Sequence, residues 1–310
     1  MRAATIVDGR IEVAERPDPE PQDGQLLVRV RAAGLNGADL MQLAGHYPAP
    51  EGVPADIPGL ELAGEVVSCG RRAGRFEPGD RVMALVAGGG QAELAVVHER
   101  TAMPVPEELD WTAAGGVPEA FTTAHDALFT QAGLTVGERL LVHGAAGGVG
   151  MAAIQLGVMA GARVTATVRD EHAREQIAAF GVNAVAPGEF EGEYDVILEL
   201  VGAPNLSANL DALATCGRIC IIGVGAGART EIDLRKLMGK RGRIHGSTLR
   251  SRPIEEKAIA ARAVEKMVLP GFASGDLAVP VMQAFALSEA PQAYERFQAG
   301  KKFGKIVLEA

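Results

Sequence analysis

Seven consecutive residues, Gly144, Ala145, Ala146, Gly147, Gly148, Val149 and Gly150, form the stretch of this 310-residue chain best suited to holding an anion. Backbone with so few side chains can turn tightly and bring amide N–H groups close to a phosphate. Leu140, Leu141 and Val142 precede it as the short apolar run of a strand covered on both faces. Val149, Ala152, Ala153, Leu156 and Ala160 follow at helical spacing, which puts the turn at a helix N-terminus, where unpaired N–H groups and the positive end of the macrodipole attract negative charge. The pattern G-x-G-x-x-G is met at Gly147 and Gly150, with Ala145 one methyl away from the first glycine. This strand, turn and helix read as a dinucleotide site, with residues 146–150 around the pyrophosphate.

A dinucleotide site needs a residue for the adenine ribose at the end of the next strand, roughly 20 residues on. The next strand is expected at 163–167. There the chain has Val168 rather than a carboxylate, with Arg169 beside it and Arg174 a turn into the following helix. A missing carboxylate with guanidinium groups nearby favours a 2′-phosphate, hence NADPH over NADH.

The elements that must position this site alternate strand and helix: strand 163–167, helix 171–180, a strand near Ala184, strand 195–201, helix to 213, strand 218–223. Alternation forces parallel pairing and right-handed crossovers, a doubly wound Rossmann-type α/β sheet. Ligands on such sheets bind beyond the strand C-termini, which selects Val201, Gly202, Gly223 and Val224 as further cofactor contacts. A helix at 119–128 leads into this domain, and Thr122 and Thr123 lie on it.

Residues 1–115 read instead as mostly β, with short runs at 5–7, 11–14, 26–32, 62–67, 81–85 and 93–97 separated by Pro, Gly and Asp. Strands at this spacing imply a closed or partly open barrel. From Ser251 the chain returns to that domain, with a helix at 254–269, a second beginning at Ser288 as its cap and running through Phe297, and a closing strand at 305–308. The expected division is 1–116 with 251–310, and 117–250.

Composition narrows the function classes. A net charge of −9 leaves no basic face for nucleic acid. No apolar run reaches the ~18 residues of a membrane span, and no export signal opens the chain. Cys69, Cys216 and Cys220 have no ligand spacing, and their odd number suggests reduced thiols, hence a cytoplasmic setting.

Seven blocks in order, GLNGADLMQLAGHYPAP, PGLELAGEV, ALVAGGGQAELAVV, GVPEAFTTAHDAL, HGAAGGVGMAAIQL, GSTLRSR and GKIVLE, resemble the medium-chain dehydrogenase/reductase superfamily. The resemblance is strongest to its zinc-independent quinone oxidoreductases, in particular the tumour-suppressor-inducible members. It implies a GroES-like, mostly β barrel catalytic domain beside the Rossmann domain, with cofactor in the cleft between them, and a homodimer through edge strands of the nucleotide domains. Zinc alcohol dehydrogenases of the superfamily carry a metal-binding Cys at the place of Asn36 and a His at that of Leu60, before the shared Glu61. Those ligands and the four cysteines of the structural zinc lobe are missing, so the chain reads as zinc-free. The resemblance also implies that Thr122 and Thr123 face the nicotinamide; Leu249 and Arg250 are read among the cofactor contacts, and Arg250 and Arg252 as able to steer a phosphate or a substrate. Two departures stand out at 184–195: the crossover is too short for the usual helix of about a dozen residues, and Pro187-Gly188 occupies the region of an adenine-side tyrosine found in some relatives.

The expected activity is NADPH-dependent reduction of quinones by hydride transfer from nicotinamide C4. A quinone is already an electron-poor acceptor whose reduced oxygens take protons from solvent, so neither a metal nor a strong general acid is required. Tyr47 and Asn36 are the candidates for hydrogen-bonding an acceptor carbonyl, Asp39 for orienting nearby backbone, and residues 88–90 for a cleft wall without side chains. A second enzyme reading is an NADPH-dependent reductase of enones or enoyl thioesters, with Tyr47 as proton donor. A non-catalytic NADPH-binding protein is the reading of another class.

Overall fold

The computed structural model describes residues 1–301 and 303–310. In chain order, β1 (Arg2–Val7) and β2 (Arg10–Glu15) pair as an antiparallel hairpin, followed by β3 (Gln25–Gly34), α1 (Gly37–Leu43), β4 (Glu61–Cys69), β5 (Arg81–Leu85), β6 (Leu94–His98) and β7 (Ala102–Pro104). Then come α2 (Trp111–Ala114), α3 (Pro118–His125) and a π-helical turn over Asp126–Gln131. The parallel part is β8 (Arg139–His143), α4 (Gly148–Met159), β9 (Arg163–Thr167), α5 (Glu171–Ala178), β10 (Asn183–Val185), β11 (Tyr194–Glu199), α6 (Leu206–Asp211), β12 (Leu213–Ile221), α7 (Leu234–Lys240) and β13 (Arg243–Gly246). The chain ends with α8 (Ile254–Met267), α9 (Leu269–Ala273), β14 (Val281–Ala286), α10 (Ala290–Gln298) and β15 (Lys305–Glu309).

Two compact units result, Met1–Thr122 with Leu249–Ala310, and Thr123–Thr248. Residues 117–122 and 249–250, read from sequence with the nucleotide domain, pack in the first unit, where the Phe121 ring meets Phe272 edge-on at 4.9 Å. That unit holds a seven-stranded sheet in the order β14-β15-β3-β4-β5-β7, with β6 also pairing β3. It is antiparallel except where β14 runs parallel to β15. Leu26, Val28, Val30, Leu62, Val66, Val82 and Val97 alternate inward to fill one core, and α10 closes a second with Ile11, Leu35, Tyr294, Phe297 and Ile306. The GroES-like part of the expected fold is thus in place as a partly open sheet.

The second unit is a six-stranded parallel sheet in the order β10-β9-β8-β11-β12-β13, the doubly wound order expected from the sequence. Leu140, Leu141, Val142, Ile197, Leu198 and Ile219 are fully buried, as strands covered on both faces require. The connection from β10 to β11 carries no helix. Phe190 fills part of the uncovered face instead, lying edge-on to His143 at 5.3 Å and packing beside Tyr194 and the Leu213 cluster.

Four local expectations are corrected. The helix read over 119–128 stops being α-helical at His125 and continues as the π-helical turn. The helix before β12 ends at Asp211, and β12 begins at Leu213; its register against β11 jumps between Tyr194 and Val196, so residues 214–217 leave the ladder, with Cys216 at φ +64°. Ser288 does not cap the last helix: a short 3₁₀ turn, Leu287–Glu289, precedes α10, and the Glu289 carboxylate accepts the Ala286 N–H at 2.9 Å. Strand β14 was not anticipated. It is an edge strand with mostly exposed or half-exposed side chains and so lacks a hydrophobic signature.

Candidate active site

Within the parallel unit, the strands end together. His143 lies opposite Thr167, and Glu199 opposite Ile221. The segments that follow these residues therefore share the C-terminal edge of the sheet, which brings together 144–150, Arg169, Val201-Gly202 and Gly223-Val224. The glycine turn is built by two different demands. Gly144 sits at φ +68°, and a Cβ on Gly150 would lie 2.5 Å from the Ala145 Cα, so these glycines let turn and helix pack. Gly147 is different, because a Cβ there would meet nothing nearer than the Gly144 oxygen at 3.7 Å. It is the N-cap of α4 and has no side chain to cap with, so first-turn N–H groups of a twelve-residue helix are left for an external anion.

Arg169 is exposed, and Arg174 on α5 donates through Nη1 to the carbonyls of Val168 at 3.1 Å and Arg169 at 3.2 Å. Val168 itself is buried, and its N–H bonds the Val185 carbonyl at 2.9 Å. The Leu200–Gly202 segment is held by Glu199, which is buried and accepts the N–H of Val201 at 2.6 Å and of Gly202 at 2.8 Å. Gly202 has φ +114°, and a Cβ there would sit 2.5 Å from the Gly227 oxygen. Asn209 donates to the other Glu199 oxygen at 2.8 Å, leaving its own amide oxygen to accept from His143 Nε2 at 2.7 Å. Nε2 therefore carries the proton, and Nδ1 accepts from Thr167 Oγ1 at 2.9 Å. Burial holds the His143 imidazole below its ordinary pKa, consistent with a neutral ring. Sequence reasoning missed this chain of partners; its one signal was a histidine ending an apolar strand just before a glycine turn.

The other candidate residues belong to the antiparallel unit. Strands β4 and β15 both run antiparallel to β3, so their first residues, Glu61 and Lys305, flank the end of β3 at Gly34. The Lys305 ammonium contacts Glu61 Oε1, the Asn36 Oδ1 at 2.8 Å and the Leu35 carbonyl at 3.0 Å. Asn36 uses its amide hydrogens on Glu61 Oε1 at 2.9 Å and the Gly34 carbonyl at 3.3 Å. Glu61 Oε2 accepts the Glu119 N–H at 2.8 Å, placing a carboxylate at the N-terminus of α3. Glu61, Lys305 and Asn36 are all buried, and a Cβ on Gly34 would overlap Glu61. Both Asn36 amide hydrogens are thus engaged, and hydrogen-bonding an acceptor carbonyl would require breaking one of these bonds. Lys305 was not singled out from sequence, since a lysine opening a strand normally faces solvent.

Asp39, also buried, accepts the Asn36 N–H at 2.8 Å, the Gly59 N–H at 3.2 Å and the Gln91 amide at 3.3 Å, while Tyr294 donates to Gln91 at 2.8 Å. It orients backbone, as its position suggested, and burial raises its carboxyl pKa to about 6. Leu60 is buried, and no group of three or more His, Cys, Asp or Glu among the described residues is arranged to hold a metal ion. Tyr47 is half-buried, with the Arg250 guanidinium 4.8 Å from its ring centre. Leu249 is buried against Leu85 and Ala260, so both it and Arg250 belong to the first unit, while Thr122 ends that unit and Thr123 begins the other.

Comparison with known proteins agrees with this architecture. Residues 22–107 match the family model described as alcohol dehydrogenase GroES-like domain, and residues 148–266 the one described as zinc-binding dehydrogenase. The chain is 32% identical over 327 residues to the quinone oxidoreductase of Homo sapiens, covering 99% of this chain and 97% of that protein. It is 33% identical over 309 residues to that of Mus musculus, covering 94% and 90%. An alcohol dehydrogenase superfamily protein from Novosphingobium aromaticivorans superposes with a TM-score of 0.86 at 26% identity, over 100% of this chain and 99% of that one. The chain is an oxidoreductase and belongs to the quinone oxidoreductase family of the medium-chain dehydrogenase/reductase superfamily.

Proposed function

We propose that this protein is a cytoplasmic, zinc-independent NADPH:quinone oxidoreductase. The observation that carries the zinc-free part is the ammonium of Lys305 packed against Asn36 and Glu61. The oxygens that would have to serve a dication already face a buried cation, and two like charges in one small buried shell repel strongly. The nicotinamide cofactor fits the open cradle at Gly147, the uncapped start of α4 and the two arginines after β9, exposed Arg169 and Arg174, which bonds the Val168 and Arg169 carbonyls. When bound, the nicotinamide supplies a hydride equivalent at C4. Residues 146–150, Val201, Gly202, Gly223 and Val224 hold the dinucleotide, with Thr123 and Leu249 as further contacts. Arg169 and Arg174 select the 2′-phosphate, and the Tyr47 hydroxyl donates a hydrogen bond to the acceptor carbonyl.

Asn36 acts by fixing the wall around that position rather than as a free donor. No helix among the described residues is long and apolar enough to cross a membrane. The homodimer reading is supported by β13, an outer strand of the parallel sheet, and by exposed Leu234 and Met238 on α7, the element before it. Sedimentation at micromolar concentration checks it: a monomer ends that reading.

The test follows absorbance at 340 nm with NADPH or NADH against 1,4-benzoquinone, 9,10-phenanthrenequinone, a short enone and an enoyl thioester. Quinone turnover that prefers NADPH and survives exhaustive chelation is the expected result. An NADH preference overturns the role of Arg169 and Arg174, and loss of activity on chelation overturns the zinc-free site. Turnover confined to enones replaces the quinone reading with the reductase of activated double bonds. Tyr47→Phe then separates the chemistries: enone turnover collapses for want of a proton donor, whereas quinone reduction keeps its kcat and raises KM about fivefold, the cost of one hydrogen bond.

A further inference from the structure

Arg250 is 6% exposed, and the acceptors of its three hydrogen bonds are neutral oxygens. Nε donates to the Ala87 carbonyl at 2.7 Å, Nη1 to the Tyr47 carbonyl at 2.9 Å, and Nη2 to the Gln42 amide oxygen at 2.6 Å. Its face lies 4.8 Å from the centre of the Tyr47 ring. Gln42, on α1 and buried, donates onward to the Ala55 carbonyl at 3.1 Å. One side chain thus joins the segment before the triple glycine, the loop carrying Tyr47 and, through Gln42, the far end of that loop. Taking a guanidinium out of water is costly and lowers its pKa by burial. Three nitrogens in one rigid plane reach oxygens lying on different sides of the group, a span that the single nitrogen of a lysine does not cover.

We infer that Arg250 is a positioning residue for Tyr47: its guanidinium grips the Tyr47 carbonyl and stacks on the ring, aiming the hydroxyl at the acceptor. This rests on Tyr47 meeting the acceptor as proposed above, and it moves Arg250 from the cofactor contacts to the acceptor side of the site. Arg250→Met should raise KM for benzoquinone about five- to tenfold with kcat little changed, and leave the dissociation constant for NADPH, read by nucleotide fluorescence, within twofold. In a Tyr47→Phe background the same change should add less than twofold to KM. Arg250→Lys should not rescue, because charge without the fork cannot span the three oxygens.

A second readout does not depend on turnover. The chain has three tyrosines, so 3-fluorotyrosine labelling gives three ¹⁹F signals, with that of Tyr47 assigned by its loss in Tyr47→Phe. Arg250→Met should move the Tyr47 signal and leave those of Tyr194 and Tyr294 in place. Gln42→Met, which removes one acceptor and keeps the guanidinium, should move it less in the same direction and serves if the arginine variant does not fold. A Tyr47 signal that stays put in these variants overturns the inference, as does a tenfold weaker NADPH affinity or a fully additive loss in the double variant. Wild-type protein inert toward quinones, with the Tyr47 signal still moved by Arg250→Met, would sink the quinone reading and keep the positioning role.

Discussion

The candidate residues of the two units are made of different material. At the C-terminal edge of the parallel sheet the site is backbone: amides at the start of α4, a carboxylate-held loop at 200–202, and glycines whose missing Cβ is the point. In the antiparallel unit it is side chains: Asn36, Asp39, Glu61, Gln91 and Lys305, buried and mutually bonded. A backbone site is written in a few adjacent residues and fails when side chains are added. A side-chain site is drawn from remote segments and fails when one member is removed, because its partners stay buried and uncompensated.

The sharpest break of this contrast is Lys305→Met. It leaves Glu61, with 0% of its side chain exposed, without its cation, and should lower unfolding free energy by about 3–5 kcal/mol. Chemical denaturation checks it; a loss under about 1 kcal/mol would mean the cluster is not the keystone of that unit.

Asp39 makes the same point through pH. Its pKa is raised to about 6 from 3.8, chiefly by burial, so between about pH 4 and 6 the folded chain keeps a proton that the unfolded chain releases. Stability from this group is therefore greatest at the acid end and falls as pH rises through that window, by up to about 3 kcal/mol. Against wild type, Asp39→Asn should remove that fall, and parallel stability–pH curves for the two proteins would refute it.

The backbone site sharpens the contrast from the other side. Gly150→Ala drives a methyl to 2.5 Å from the Ala145 Cα and should cost about 1–3 kcal/mol together with nucleotide binding. Gly147→Ala, with its nearest neighbour 3.7 Å away, should change the melting temperature little and still weaken NADPH more than tenfold, since the methyl enters the space an anion needs. Calorimetry beside a nucleotide titration distinguishes the two glycines. Equal effects on both measurements would show that both serve packing alone.

The glycine turn, the strand before it and the helix after it were legible because every residue involved lies within one short stretch and its period announces each element. The helix-free link after β10 was legible by counting residues. The strand end occupied by Val168 and Arg169 was equally plain. Less visible were features set by competition among neighbours: Glu289 rather than Ser288 satisfying the start of the last helical segment, the π-helical turn after His125, and the four residues of β12 that leave its ladder with β11. Each is a local choice settled by packing, for which propensity supplies no preference.

From sequence alone come the alternation that requires a parallel sheet, the glycine turn at the start of a helix, and a Rossmann-type unit beside a mostly β one. Tertiary structure alone decided what surrounds the candidate residues. Lys305 bonds Asn36 across 269 residues because β4 and β15 both run against β3, and antiparallel neighbours bring their first residues beside its last. Arg250 reaches Tyr47 across 203 residues for a kindred reason: burial leaves a guanidinium to find its oxygens wherever the fold has set them, and the chain's order of residues does not say where that will be.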